Sequence, residues 1–174
     1  MKKKFLGIDP GTSDYNCAYA VYDGKDIIEF GTIDLRKTKT FAKRLTKIAR
    51  ELTDIIERQE ITDLAYEAFF LQKGKIQGSV RIPMLIGVLL HYADIYNLRY
   101  MDIFPSQMKK IVSGSGRASK EEVQAALEED FNLPSDISNH ESDAIGIART
   151  AYELSQHIPL STTRAKKSRK STSR

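Results

Sequence analysis

Four polar residues at widely separated points of the sequence could together hold divalent metal ions. They are Asp9, Glu67, His140 and Asp143. Carboxylates crowded at one site repel one another unless cations lie between them. Two divalent metal ions about 4 Å apart can bind the attacking and leaving oxygens of a phosphodiester. If the fold brings these four residues together, the pattern predicts metal-dependent hydrolysis of a phosphodiester.

Asp9 lies at the end of the first predicted strand. The apolar run 5–8 predicts a short buried strand, and Pro10 and Gly11 then require the chain to turn. A buried carboxylate there would need a cation as its partner. Asp-Pro-Gly is also an ordinary turn sequence in which Asp9 only caps the turn. This stretch alone leaves both interpretations open.

The other three residues lie on elements that could carry them to the same place. Glu67 ends a predicted strand, and ligands gather where the ends of neighbouring parallel strands meet. His140 and Asp143 are three residues apart near the start of the last predicted helix, so they share one face. Each residue alone is weak evidence, because strand-end Glu residues are usually solvated and Asp residues at helix starts usually serve the dipole. Glu141 is assigned to a capping box with Ser138, and we do not count it as catalytic.

The remaining sequence predicts the frame that must position these side chains. The predicted elements are strands at 5–9, 15–22 and 26–34, a helix at 40–59, a strand at 63–67, a helix from about 77 to 97, a strand at 99–104, and helices at 106–112, 119–130 and 138–157. Asp23-Gly24 is a hairpin signal, and apolar residues at spacings of three and four mark the first helix. The pattern predicts an α/β fold, with a mixed five-stranded sheet flanked by helices on both faces.

The charge of the chain is unevenly placed. The 174 residues suit one domain with a hydrophobic core, and the formal net charge is +4. Six basic residues and no acidic ones lie between 161 and 174, and the other 21 basic residues face 23 acidic ones. We therefore predict a folded domain at 1–160 and a disordered basic tail at 161–174 that binds nucleic acid non-specifically.

The composition also indicates the cellular compartment of the protein. No apolar run is long enough to span a bilayer. The chain has one cysteine, Cys17, which excludes an internal disulfide framework and fits a reducing compartment. We expect a cytoplasmic protein without a membrane partner, in which Cys17 is a small buried residue of a strand.

Taken together, the motifs resemble those of the RuvC family of Holliday-junction resolvases, within the RNase H-like superfamily. The matching segments are Gly7 to Thr12, Tyr66-Glu67 followed by Phe69-Phe70, Pro105 to Lys110 with Gly114, Gly116, Ala118 and Lys120, and His140 to Ala148. The match spans Phe5 to about Glu153. Sugar kinases and actin-like ATPases share a similar Asp-x-Gly-Thr turn, but they need two such lobes and the chain has no second phosphate turn.

The resemblance implies an endonuclease that resolves four-way DNA junctions by paired symmetric nicks. It implies that Asp9, Glu67, His140 and Asp143 are catalytic ligands of two Mg²⁺ ions. His140 stands where the commonest family pattern has Asp, although some members also use His. Because imidazole suits later metals better than Mg²⁺, we expect Mn²⁺ to substitute.

The resemblance also implies a DNA-binding set. Its members are Phe69, Phe70, Lys109, Lys110, Arg117 and Lys120. Lysine and arginine would hold phosphates, and an aromatic ring would stack on an unpaired base near the crossover. Phe69 and Phe70 compete for that role, and the register favours Phe70.

Paired symmetric cuts require two active sites, so we expect a homodimer. The predicted helix around 82–96 has more apolar surface than one sheet face needs, which makes it the candidate interface. Two alternatives stay open. One is a nuclease of the same fold that acts on other branched DNA or on RNA. The other is a catalytically inactive junction-binding protein, which the intact acidic set argues against.

Overall fold

The computed structural model describes residues 2–11, 16–69 and 80–157 and contains the predicted mixed five-stranded sheet. Its strands are β1 (Phe5–Asp9), β2 (Asn16–Tyr22), β3 (Ile27–Asp34), β4 (Asp63–Glu67) and β5 (Arg99–Ile103). Its helices are α1 (Phe41–Gln59), α2 (Arg81–Ile95), α3 (Pro105–Ser113), α4 (Lys120–Phe131) and α5 (Asn139–His157). The predicted fold class is confirmed.

The strand directions gather several strand ends at one edge of the sheet. The order is β3-β2-β1-β4-β5; the β1–β4 and β4–β5 pairs are parallel, and β2 runs antiparallel to β1 and to β3. The last residues of β1, β3, β4 and β5 therefore lie at the same edge, which we call the carboxyl edge. Ile8 pairs with Tyr66, so Asp9 and Glu67 follow at neighbouring positions of this edge.

The helices cover both faces of the sheet. One core cluster joins the apolar side of α1, including Ile48 and Leu52, to Leu85 and Leu89 of α2. A second cluster joins α3, α4 and α5 to the opposite face. Because a core covers each face, residues of β2 alternate between the two cores, and Cys17 and Val21 face the first. The prediction of a buried Cys17 is confirmed.

Gly7 sets how closely α5 packs on the sheet. A Cβ atom at this position would lie 2.4 Å from the carbonyl oxygen of Ala144 and 2.5 Å from the backbone nitrogen of Ala148. Real Cβ atoms do not approach backbone this closely, so glycine is required for α5 to lie against β1. Since α5 carries His140 and Asp143, this contact helps to bring them beside Asp9.

The element boundaries differ from the prediction at a few points. β5 ends at Ile103, because Phe104 becomes the N-cap of α3 and Pro105 occupies its first position. Pro83 lies in the first turn of α2, where proline is tolerated. The predicted start of this helix near residue 77 and the tail at 161–174 lie outside the described residues, so the domain boundary at 160 stays a prediction. No described helix is both long and apolar enough to cross a membrane.

Candidate active site

Asp9 is fixed at the carboxyl edge by hydrogen bonds to both of its carboxylate oxygens. The residue is 4% exposed. Its Oδ1 accepts a 2.9 Å hydrogen bond from the backbone N–H of Gly11, which has φ of 68°. Its Oδ2 lies 2.6 Å from Nδ1 of His140. These two atoms are within hydrogen-bond distance of each other. Asp9 therefore caps the turn after β1 and also lies beside His140, so its role in the turn does not exclude a role in a metal site.

The start of α5 presents His140 and Asp143 to the same space. Ser138 caps the helix: its Oγ accepts the backbone N–H of Glu141, and the Glu141 side chain accepts the backbone N–H of Ser138. The predicted capping role of Glu141 is confirmed. This cap fixes the first turn, so that His140 and Asp143 share the face directed at Asp9.

Glu67 completes the acidic set from the end of β4. The pKa of its carboxyl group is raised to about 7, mainly by burial and then by the charges of Asp9 and Asp143, while Lys120 and His140 act in the opposite direction. Burial likewise raises the pKa of Asp143, an effect that Lys120 partly offsets. The charge of Asp9 thus opposes ionisation of both Glu67 and Asp143, which is the electrostatic condition that a bound cation would relieve.

All four predicted site residues line one cavity of about 140 Å³. The other lining residues are Ile103, Pro105, Met108, Lys109, Lys120, Val123 and Ile147. The lining therefore combines apolar side chains with a few charged ones, as in many ligand sites. The structure thus brings together residues that are up to 134 positions apart, from Asp9 to Asp143.

Lys120 has a place that sequence reasoning missed. Its Nζ lies 3.6 Å from Oδ2 of Asp143, so the ammonium group is an ion-pair partner inside the acidic set. Ser119 and Glu122 form a capping box at the start of α4, close to the start of the predicted helix at 119–130. In the sequence, Lys120 is recognisable only as the residue that directly follows the N-cap Ser119. The sequence does not show that α4 packs beside α5, which is what brings Lys120 close to Asp143.

The other predicted phosphate-binding residues divide into two kinds. Lys109 donates a 2.6 Å hydrogen bond from Nζ to the carbonyl oxygen of Ala118, so it fastens the α3–α4 loop to α3. Lys110 and Arg117 are exposed on the same segment. Contact of these three residues with phosphate stays a prediction.

The two predicted stacking residues differ in what the structure describes. Phe69 is partly buried and follows Ala68, whose N–H donates to the carbonyl oxygen of Ile103 beside the cavity. Phe70 lies outside the described residues. The choice between the two rings therefore stays a prediction.

The chemistry of the donor set fits divalent metal ions. Carboxylates are the usual ligands of Mg²⁺ and Mn²⁺, and imidazole adds a ligand that suits later metals better. The pKa of Glu67 is raised by burial and also by the neighbouring charges of Asp9 and Asp143, which a bound cation would offset. Within 2–11, 16–69 and 80–157, no three His, Cys, Asp or Glu side chains are arranged to hold one ion as they stand. His140 and Lys120, which pair with Asp9 and Asp143, would have to shift as cations bind.

Glu67 should make the stability of the metal-free protein depend on pH. Its pKa is about 7 when folded, against an ordinary 4.5, so the folded state binds the proton more tightly. Stability is therefore lost as the pH rises from about 4.5 to about 7. Because the group is partly exposed, we expect about 1–2 kcal/mol.

This dependence can be measured by thermal unfolding with a chelator between pH 4.5 and 8. The control is Glu67→Gln, which removes the titrating group and keeps the side-chain shape. The variant should lose less stability over this range than the wild type. Identical pH profiles would mean that Glu67 titrates normally and is not crowded by the other carboxylates.

Known proteins resemble this chain over most of its length. The model of the family described as crossover junction endodeoxyribonuclease RuvC matches residues 5–151. A protein of that name from Geotalea uraniireducens is 31% identical over 147 residues, which cover 83% of this chain and 85% of the relative. Another, from Chlorobium phaeobacteroides, is 29% identical over 146 residues, with coverages of 82% and 78%.

Solved structures share the fold. Thermus thermophilus RuvC superposes with a TM-score of 0.74 at 22% identity, covering 88% of this chain and 96% of that chain. The structure of T. thermophilus RuvC in complex with Holliday junction substrate gives a TM-score of 0.75 at 20% identity, with the same coverages. The resemblance predicted from the four motifs is confirmed, and the chain belongs to the RuvC family of crossover junction endodeoxyribonucleases.

Proposed function

We propose that this protein is an endodeoxyribonuclease that resolves four-way DNA junctions by paired symmetric nicks, and that the cavity at the carboxyl edge is its active site. The family assignment supports the reaction class. The observation that carries the site is the convergence of Asp9, Glu67, His140 and Asp143 on one cavity. A relative of known structure was solved with a Holliday junction substrate, which supports the choice of DNA substrate.

We further propose that these four residues hold two divalent metal ions, with Mg²⁺ as the usual ion and Mn²⁺ as a substitute. When bound, such ions activate water and neutralise charge that develops on the phosphate. The chain supplies the negative charge that holds them. Asp9 is the best placed for a shared ligand, because its backbone turn and its burial leave its carboxylate little freedom.

The remaining residues of the cavity and its rim orient the DNA. Without substrate, the ammonium group of Lys120 balances the charge of Asp143. When DNA binds, this ammonium group can leave Asp143 and pair with a phosphate. Lys110 and Arg117 lie exposed on the neighbouring segment, where they can hold the backbone without reading sequence. Phe70, or else Phe69, would stack on an unpaired base.

A nicking assay on three substrates tests the function. A mobile four-way junction, a Y-fork and an RNA hairpin are incubated with the full chain, with magnesium or with a chelator. We expect paired cuts in the junction only, and only with magnesium. Preferential cutting of the fork or the hairpin would assign the chain to a different nuclease substrate.

His140 should affect metal choice as well as rate. His140→Asp keeps a ligand and should shift the balance from Mn²⁺ towards Mg²⁺, because magnesium prefers oxygen ligands. His140→Ala removes both the ligand and the hydrogen bond to Asp9, and should slow cutting about 10- to 100-fold. Junction binding should persist in both variants.

The measurement is the ratio of the manganese-supported to the magnesium-supported cleavage rate for the wild type and the two variants. A control on the same helix is Gln156→Ala, since Gln156 is exposed near the end of α5 and does not line the cavity. Full activity and an unchanged ratio in His140→Ala would remove this residue from the site.

We also propose that the protein is a homodimer that associates through α2. Val80, Met84 and Ile95 are among the exposed large apolar side chains, and Met84 and Ile95 are 52% and 57% exposed. Gly87 lies between them in the sequence, and a Cβ added there would meet no described atom within 4 Å apart from its chain neighbours and the backbone of its own helix. This open space leaves room for close approach of a second helix.

Light scattering at micromolar concentration, with junction bound, tests the dimer. The wild-type complex should have the mass of one junction and two chains, whereas Met84→Glu with Ile95→Glu should give one junction and one chain, because a charge at an apolar interface loses its hydration. Ile28→Glu is the control, since Ile28 is 43% exposed on β3. A monomeric wild type would refute the proposal.

A further inference from the structure

The segment from the end of β3 to the middle of α1 concentrates positive charge. Between residues 35 and 50 the chain has no acidic residue and seven basic ones, which are Arg36, Lys37, Lys39, Lys43, Arg44, Lys47 and Arg50. Outside the tail at 161–174 the chain has a small excess of acidic residues, so this segment departs from its surroundings. Such a concentration creates a local positive potential that attracts anions.

Three of these cations have hydrogen-bond partners within the protein. Arg36 pairs with Asp34 at 2.9 Å from Nε to Oδ1. Lys47 donates from Nζ to the carbonyl oxygen of Asp34 at 2.7 Å. Arg44 donates from Nε to a backbone carbonyl at 3.1 Å. These contacts shape the β3–α1 connection and leave other cations of the segment for a different role.

Lys37, Lys39 and Lys43 are exposed. Among the residues that the structure describes, no acidic side chain forms an ion pair with any of them. Lys43 does not stabilise α1 through the helix dipole either. It lies in the first turn, where the dipole favours acidic residues, and this turn contains no acidic residue. We define these three lysines as the α1 patch.

The topology places the α1 patch at the carboxyl edge, beside the active site. β3 ends at this edge, and α1 begins there and runs back towards the start of β4. β3 lies two strands from β1, which corresponds to about 10 Å across the sheet. On the other side of β1, β5 leads into α3 and the exposed Lys110 and Arg117. Along this edge the carboxylates thus lie between the β3–α1 connection and the α3–α4 segment, and α1 and α3 cover opposite faces of the sheet.

We propose that the α1 patch binds the phosphate backbone of one duplex arm of the junction, on the side of the cavity opposite α3. This inference rests on the proposed function and adds a second DNA-binding surface to it. The arms of a four-way junction diverge from the crossover, so a cavity that receives the crossover has duplex on both sides. Lysine ammonium groups suit this role, because they bind phosphates without reading sequence.

The salt dependence of junction binding tests the α1 patch. The full chain and the triple variant Lys37→Gln, Lys39→Gln, Lys43→Gln are titrated onto a junction with a chelator present. Three phosphate contacts contribute about 2.7 to the slope of log affinity against log salt concentration. Between 50 and 200 mM salt, the wild type should therefore lose up to about 40-fold more affinity than the variant.

The matched control is Lys3→Gln, Lys4→Gln, Lys25→Gln, which removes the same charge from the opposite edge of the sheet. Its slope and cleavage rate should equal those of the wild type. A patch variant with an unchanged slope, or a control variant with the same reduction, would overturn the proposal.

Neutral methylphosphonates, placed three to six phosphates from the crossover in one pair of arms, supply the second measurement. They should weaken binding by the wild type but have little added effect on the patch variant, because both changes remove the same contacts. Independent effects would overturn the proposal. A wild type that cuts junctions but fails these tests refutes the α1 patch alone, whereas one that neither binds nor cuts junctions selectively refutes the proposed function.

Discussion

Asp9→Asn is expected to reduce junction cleavage at least about 10³-fold while leaving junction binding within a few-fold of the wild type. The amide keeps the shape of the side chain and can still accept the N–H of Gly11. It lacks the charge that would hold a shared pair of cations, and charge stabilisation by bound metal is worth several kcal/mol. A 10³-fold loss corresponds to about 4 kcal/mol of transition-state stabilisation.

Single-turnover cleavage and equilibrium binding, measured on the same junction, separate the two effects. Asp102→Asn is the matched control, because Asp102 is an exposed carboxylate of β5 one residue before the carboxyl edge. It should cut like the wild type. Substantial cleavage by Asp9→Asn would mean that Asp9 only caps the turn after β1.

Gly7→Ala is expected to damage stability and cleavage together. The added methyl group would meet the backbone of α5 at 2.4 and 2.5 Å, and backbone cannot move aside as a flexible side chain can. Overpacking of this kind costs about 3 kcal/mol. The displaced α5 would carry His140 and Asp143 away from Asp9, so the folded fraction should also cut poorly.

Urea unfolding gives the stability change, and cleavage is measured where both proteins are folded. Gly31→Ala is the control: its nearest contact is the hydroxyl oxygen of Tyr19 at 3.3 Å, and a side-chain end can move. It should be far less destabilising than Gly7→Ala. Equal effects of the two substitutions would show that the β1–α5 contact is not specially tight.

The fold and the acidic set were accessible from sequence because local signals agreed with one another. The strand that ends at Asp9 and the turn at Gly11 are short-range features, and the capping boxes of α4 and α5 fixed where those helices start. The residue types at four separated positions then indicated a metal site. The expectation that they lie close together came from the predicted topology of the sheet.

The interactions that sequence reasoning missed are contacts between elements. Nothing in the segment around Lys109 indicates that its amine binds the carbonyl oxygen of Ala118, or that Lys120 faces Asp143. Both depend on how α3, α4 and α5 pack together, and Gly146 permits that packing because a Cβ there would meet Met108 at 2.8 Å. The place of the α1 patch at the carboxyl edge could not be predicted, because helical periodicity does not show which edge of the sheet a helix starts from.

The most direct test of the central claim is to locate manganese by anomalous diffraction in crystals of the full chain bound to a junction with non-cleavable linkages at the crossover. We expect manganese in the cavity at the carboxyl edge, bonded to Asp9 and to at least two of Glu67, His140 and Asp143. Manganese bound only elsewhere, under conditions in which the protein cuts junctions, would contradict the assignment of this cavity as the active site.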